Sequence, residues 1–161
     1  MKQVTLIISL FLLTSFYMFG QNEEVKVYDP QADAAADVKN ALDKAAKENK
    51  NVLIMLGGNW CPWCIKLNKY IHADAEIDSL INADYVWIKV NYSKENKNPE
   101  LLKEWGNPQR FGFPVLLVLD KNGKRLHTQD SGLLEEDKSY DRKKLTGFLR
   151  NWNVSAVNGS L

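Results

Sequence analysis

The spacing of apolar positions changes along this chain, and each change marks an element. From Asp29 to Lys50 the stretch DPQADAAADVKNALDKAAKENK sets Ala34, Val38, Ala41, Leu42 and Ala45 at helical spacing among good helix formers, which predicts a surface helix with one apolar face. At Asn51 the helical period stops. NVLIML is a continuous apolar run of strand length, the pattern of a strand covered on both faces of a parallel or mixed sheet, and Gly57 and Gly58 end it. Helical spacing returns in PWCIKLNKYI (residues 62–71), with proline in the first turn, where its missing N–H costs nothing. DAEIDSLINA predicts a short helix capped by Asp74, YVWIKVNY (85–92) a strand, and PELLKEW (99–105) another proline-first helix. PVLLVLD (114–120) is a second buried-type strand that KNG turns into KRLHTQ as a hairpin, and DRKKLTGFLRNW (141–152) closes the chain as an amphipathic helix. Helices alternating with strands, then a hairpin and a last helix, imply an α/β fold: a central mixed sheet with helices on both faces.

Composition narrows this to one domain. The 161 residues are 45% hydrophobic and 25% charged, enough for one core. Lys and Arg total 21 against 20 acidic residues, with no basic block, so nucleic acid is excluded as an expected partner. The N-terminus reads differently from the rest: Lys2, then VTLIISLFLLTSFYMF without a charge, then Gly20, the sequence of a secretory signal peptide. Met18 departs from the small-residue preference before a cleavage site, so an uncleaved anchor is the alternative, although a run of roughly 16 apolar residues is short for a span of ~20. Loss of Lys2 with the signal leaves 20 basic and 20 acidic residues and no net charge for long-range steering. The expected organisation is a signal peptide or anchor at 1–20, a polar leader at 21–30, one domain at 31–155 and a tail at 156–161.

The chain has two cysteines, Cys61 and Cys64, in NWCPWCIKL. A structural disulfide over two intervening residues closes a very small loop, which gives little entropic stabilisation. A zinc site would need two further ligands, and the only histidines, His72 and His127, lack the spacing of a finger. A redox pair suits the context better. Cys61 follows a buried strand and a glycine pair at the predicted N-terminus of a helix, where free N–H groups and the helix dipole favour a thiolate. Cys64, one turn further in, is then placed to resolve a mixed disulfide.

VLIMLGGNWCPWCIKL, together with RFGFPVLLVLDKNGKRL some fifty residues later, resembles the thioredoxin family, in which a strand leads to a Trp-Cys-x-x-Cys helix and a distant cis-proline faces the disulfide. The resemblance covers nearly all of the chain after the signal, and it is closest to exported thioredoxin-related proteins with a long helix before the first core strand. It implies a thioredoxin-like fold with an N-terminal helical extension. By the same resemblance Cys61 is the nucleophile, Cys64 the resolving thiol and the pair the redox centre, with no cofactor and no metal. Trp60, Pro62, Trp63, Phe113 and Pro114 are the implied substrate-contact residues, Pro114 being expected cis after Phe113. The Pro62-Trp63 pair resembles glutaredoxin-like or oxidising members and implies a potential inside the roughly −270 to −120 mV spanned by the family. One position departs from the pattern: the buried acid six residues before the first cysteine, which takes the proton of the second, is here Met55. Water or another group must take its place, Glu104 and Lys66 being the candidates among the side chains.

The expected function is an exported thiol–disulfide oxidoreductase, periplasmic or secreted, or anchored with its domain outside the cytoplasm. Its partners are protein thiols and disulfides, with a membrane-bound electron donor or acceptor, and the chain is expected to act as a monomer. The alternative, kept open by Met55, is a redox-poor peptide-binding or chaperone-like module on the same fold.

Overall fold

Residues 51–57 carry no charge and alternate between two apolar faces, so they can be stable only with cover on both sides. The computed structural model, which describes residues 26–159, places them there. Strand β1 (Asn51–Gly57) is buried at every position. Helix α1 (Ala34–Glu48) precedes it, capped by the Asp33 side chain and ended by Asn49 in the left-handed region. Helix α2 (Pro62–Ala73), helix α3 (Ala75–Asp84), strand β2 (Tyr85–Asn91) and helix α4 (Pro99–Glu104) follow. Strands β3 (Val115–Leu119) and β4 (Arg125–Asp130) form the expected hairpin, joined antiparallel.

The sheet order is β2-β1-β3-β4, with β2 parallel to β1 and β3 antiparallel to it. The register sets Asn51 opposite Tyr85 through to Gly57 opposite Asn91. Successive residues of β1 therefore feed two cores. Val52, Ile54 and Leu56 pack with Ala41 and Ala45 of α1 and Leu102 of α4, whereas Leu53 and Met55 pack with Leu67 of α2 and Ile77 of α3. The mixed sheet with helices on both faces is the architecture expected from the sequence.

Beyond β4 the chain holds more structure than the period of its side chains suggested. A short hairpin of β5 (Glu135–Glu136) and β6 (Ser139–Tyr140) precedes α5 (Arg142–Asn151), and a further helix, α6 (Val154–Asn158), runs into the stretch expected as a tail. Two-residue strands have no periodicity to read. At the other end, Tyr28, in the stretch expected as a polar leader, is 3% exposed and belongs to the core that holds Leu67 and Met55. The expected signal segment at 1–20 lies outside the described residues. Among those described, no helix is long and apolar enough to cross a membrane.

Candidate active site

The site begins where β1 runs out. Gly57 and Gly58 do more there than interrupt a strand. A Cβ on Gly57 would lie 2.5 Å from Cys64 Sγ and 2.7 Å from the Tyr28 hydroxyl oxygen, and a Cβ on Gly58 would strike the Trp60 indole and lie 2.7 Å from the Tyr92 carbonyl oxygen. Both positions need glycine for clearance rather than for an unusual φ.

The Gly58 carbonyl accepts the Cys61 N–H at 3.0 Å, which folds the loop back so that Cys61 becomes the N-cap of α2. Its Sγ accepts the N–H of Cys64 at 3.1 Å. Pro62 occupies the first turn, where no N–H is needed. Cys61 and Cys64 form a disulfide with Cα atoms 5.3 Å apart. Cys61 is 3% exposed and Cys64 fully buried, the order of access expected from one turn of helix. The Cys64 N–H and the positive end of the α2 dipole both act on the Cys61 sulfur, an arrangement that can hold negative charge on it.

Aromatic rings border the disulfide on two sides. Trp60 is 55% exposed and donates its Nε1–H to the Tyr92 carbonyl oxygen at 2.7 Å. Its ring meets Phe113 edge-on at 5.3 Å, and Phe113 stacks on Tyr92 at 4.8 Å. The Phe113–Pro114 bond is cis, with Pro114 buried and Phe113 half-buried. On the other side half-buried Trp63 meets Tyr140 edge-on at 5.5 Å, and the Tyr140 hydroxyl donates to the Trp63 carbonyl oxygen at 3.2 Å. Pro62 is exposed between them. Of the sequence-expected residues, Trp63 and Phe113 pack against the cluster that holds Cys61 and Cys64, Trp60 meets Phe113, Pro62 lies between the cysteines in the chain, and Pro114 follows Phe113.

Two residues of this site escaped the sequence. Asn59 clamps the segment before α1 onto the active-site loop: its Oδ1 accepts the N–H groups of Val27 and Tyr28, both at 2.9 Å, and its Nδ2 donates to the Tyr28 carbonyl oxygen at 2.9 Å. The clamp seats Tyr28 in the core against Gly57 and Cys64. Burial, with a smaller contribution from Tyr140, pushes the Tyr28 phenol far above its ordinary value of 10.0. A lone tyrosine in a polar run gives no periodic signal, and a clamp across 31 residues is not local. An open cleft of about 770 Å³, lined by Asp29, Gln31, Asn59, Trp60, Ser93 and Glu95 among others, adjoins the clamp.

Met55 and the two candidates for the missing acid, Lys66 and Glu104, have the following surroundings. Met55 is fully buried in the same apolar cluster as the disulfide. Lys66 sits over the Trp63 ring at 4.2 Å and donates to the Lys138 carbonyl oxygen at 2.6 Å. Glu104 ends α4, whose buried Leu102 packs on the opposite face of the sheet. His72 pairs with Asp78 at the surface, and His127 stacks on Trp152 at 4.2 Å. Among the described residues no group of three or more His, Cys, Asp or Glu could hold a metal ion.

A thioredoxin-like family model matches residues 33–121. The chain is 27% identical over 92 residues to the disulfide bond reductase DsbH of Chlamydia pneumoniae, covering 53% of this chain and 55% of that one. It is 26% identical over 128 residues to the thiol:disulfide interchange protein DsbD of Colwellia psychrerythraea, covering 78% of this chain and 18% of that one. It therefore spans only about half, or less, of these curated relatives. Among solved structures, a disulphide isomerase from Xylella fastidiosa superposes with a TM-score of 0.70 at 28% identity, over 78% of this chain and 95% of that one. The reduced C-terminal domain of DsbD from Neisseria meningitidis superposes with a TM-score of 0.51 at 26% identity, over 74% and 96%.

Proposed function

The chain belongs to the thioredoxin-like family, and from that premise we propose that it is an exported thiol–disulfide oxidoreductase acting on protein substrates through Cys61 and Cys64. The observation that carries this reading is the disulfide itself: its first cysteine caps α2 and accepts the Cys64 N–H, beside the exposed ring of Trp60. The names of the DsbH and DsbD relatives point the same way.

In the reducing direction, the Cys61 thiolate attacks one sulfur of a substrate disulfide, and the other sulfur leaves as a thiolate that takes up a proton. Cys64 then attacks Cys61, expels the second substrate thiolate and restores the disulfide. Trp60, Pro62, Trp63 and Phe113 hold an extended substrate segment against the sulfur, and Pro114 aligns the Phe113 backbone for strand-like pairing. The working unit is residues 31–155 with Tyr28 seated on it, delivered beyond the cytoplasm by the 1–20 segment and acting as a monomer. In an oxidising compartment a reducing role draws electrons from a membrane-bound donor.

The test is insulin-disulfide reduction by the full chain. The wild type is expected to be active, Cys61→Ser inactive, and Cys64→Ser is expected to accumulate mixed disulfides with substrate. A folded wild type that neither reduces insulin nor yields trapped adducts refutes the reading. It would favour the second one, a peptide-binding module without turnover, which rests on the apolar Met55 where the family pattern has an acid.

A further inference from the structure

We propose that the Tyr28 hydroxyl is the hydrogen-bond donor that stabilises the Cys64 thiolate during resolution of the mixed disulfide, in the place that the family pattern gives to a carboxyl at position 55. The inference rests on the oxidoreductase reading and adds to it a residue outside both motifs.

Three observations converge. The Tyr28 hydroxyl oxygen and Cys64 Sγ flank the same vacant side of Gly57, at 2.7 Å and 2.5 Å from where a Cβ would stand, so they are separated by no more than those two distances laid end to end. The hydroxyl is buried and has no hydrogen-bond partner among the described residues. Buried polar groups are nearly always partnered, and an orphan calls for a reason. Finally, the Asn59 clamp fixes the Tyr28 backbone at both its N–H and its carbonyl, so the phenol stays where it is when the disulfide opens.

Chemistry supplies the reason for the orphan. A disulfide sulfur is a poor acceptor, whereas a thiolate is a charged and strong one, so the bond is unmade in the oxidised protein and available in the reduced one. Burial keeps the phenol protonated, and it acts as a donor rather than a base. The titratable groups facing it are Cys61 and Cys64 from α2 and Tyr140 from β6; β1 presents Met55 and Gly57. In the resolving step Cys64 gives up its proton and its sulfur attacks Cys61 Sγ. The Cys61–Cys64 bond forms and the bond from Cys61 to the substrate sulfur breaks. The departing substrate thiolate takes the electron pair of that bond and the proton released by Cys64. Over attack and resolution together the cysteine pair loses two electrons and the substrate disulfide gains them, and the electron donor restores the pair. Tyr28 keeps its own proton throughout.

The test titrates Cys64 as the only thiol, in the full-length reduced Cys61→Ser protein, by following its Cβ carbon shift by NMR with and without Tyr28→Phe. The titration midpoint is expected to rise by about one pH unit on loss of the hydroxyl, the size of one hydrogen bond to a charged group. In the two-cysteine protein, Tyr28→Phe is expected to slow resolution about three- to fourfold below the thiol midpoint, because the smaller thiolate fraction is partly offset by a more nucleophilic thiolate, with mixed disulfide accumulating. The oxidised Tyr28→Phe protein should melt no lower than its parent, because the hydroxyl it loses has no partner there. An unchanged Cys64 midpoint overturns the proposal, and an unchanged midpoint with a lowered melting temperature assigns Tyr28 a structural role instead. The titration reads the thiol itself, so it stands whether or not insulin is reduced.

Discussion

Replacing Asn59 by alanine removes one side chain and three hydrogen bonds at once. The bonds run from the active-site loop to the backbone of residues 27 and 28, each at 2.9 Å and partly buried. A net value of about 1 kcal/mol per bond, with some recovered as the freed peptide groups meet water, puts the loss near 2–3 kcal/mol. That loss falls on a local opening, because the segment that detaches is short and β1, α2 and β3 stay packed behind it. At 1.4 kcal/mol per decade, detachment becomes roughly thirty- to a hundredfold more frequent. Native-state hydrogen exchange reads this directly: the Val27 and Tyr28 amides of Asn59→Ala should exchange faster by that factor, while the amides of Leu53 and Ile54 in β1 hold their rates. Asn59→Asp keeps an acceptor for the two N–H groups and loses the donor to the Tyr28 carbonyl, so it should fall between. Acceleration below about threefold at Val27 and Tyr28 refutes the clamp. Equal acceleration in β1 refutes its local character.

Two further outcomes follow from the same region and its surroundings. Gly57→Ala drives a methyl group onto Cys64 Sγ and the Tyr28 hydroxyl, both held in place, and should destabilise the oxidised protein by about 1–3 kcal/mol in thermal or urea unfolding; the deficit should shrink when Cys64 is also made alanine, and an undiminished melting temperature in the single variant would contradict the packing. Arg142 donates from Nε to Asp74 at 2.6 Å and also to Glu76, which Arg150 joins at 2.6 Å. The hydrogen bond from Arg142 holds the Asp74 carboxyl below its ordinary 3.8. A carboxyl lowered in the folded state contributes stability above its ordinary value and loses it as the pH falls through the lowered one. The urea midpoint of Arg142→Ala should therefore trail the wild type by about 0.2–0.5 M at neutral pH and converge with it in acid, and a gap that is constant with pH would contradict the pairing.

The parts of the site that were legible in advance are those whose reason is local. Cys61 at a helix start follows from a strand, two glycines and a proline in the first turn, all within a dozen residues. Phe113 and Pro114 were legible only through resemblance to a family pattern, since Gly-Phe-Pro before an apolar run otherwise reads as a plain loop. Tyr28 and Asn59 carried no signal. Nothing in a polar leader distinguishes a tyrosine that will be buried from one that will not, and an asparagine between glycine and tryptophan looks like turn chemistry. The two glycines were read as a strand terminator, and the sequence could not say that a sulfur and a phenol would crowd one of them.

What the amino-acid order determined by itself was the succession of elements from α1 to β4 with the closing helix α5, the two-faced burial of β1 and β3, and the chemistry of a cysteine pair at a helix N-terminus. Period, capping and spacing act between residues near in the chain, and those interactions are written in it. What only the tertiary structure decided was which residues converge on Cys64. Leu53 and Met55 face α2 while Ile54 faces α1, Lys66 is engaged by Trp63 and the Lys138 carbonyl oxygen, and Tyr28 is brought to the sulfur. That convergence depends on side-chain packing between segments far apart in the chain, where distance and exclusion of water set the strength of a hydrogen bond, and no local pattern records it.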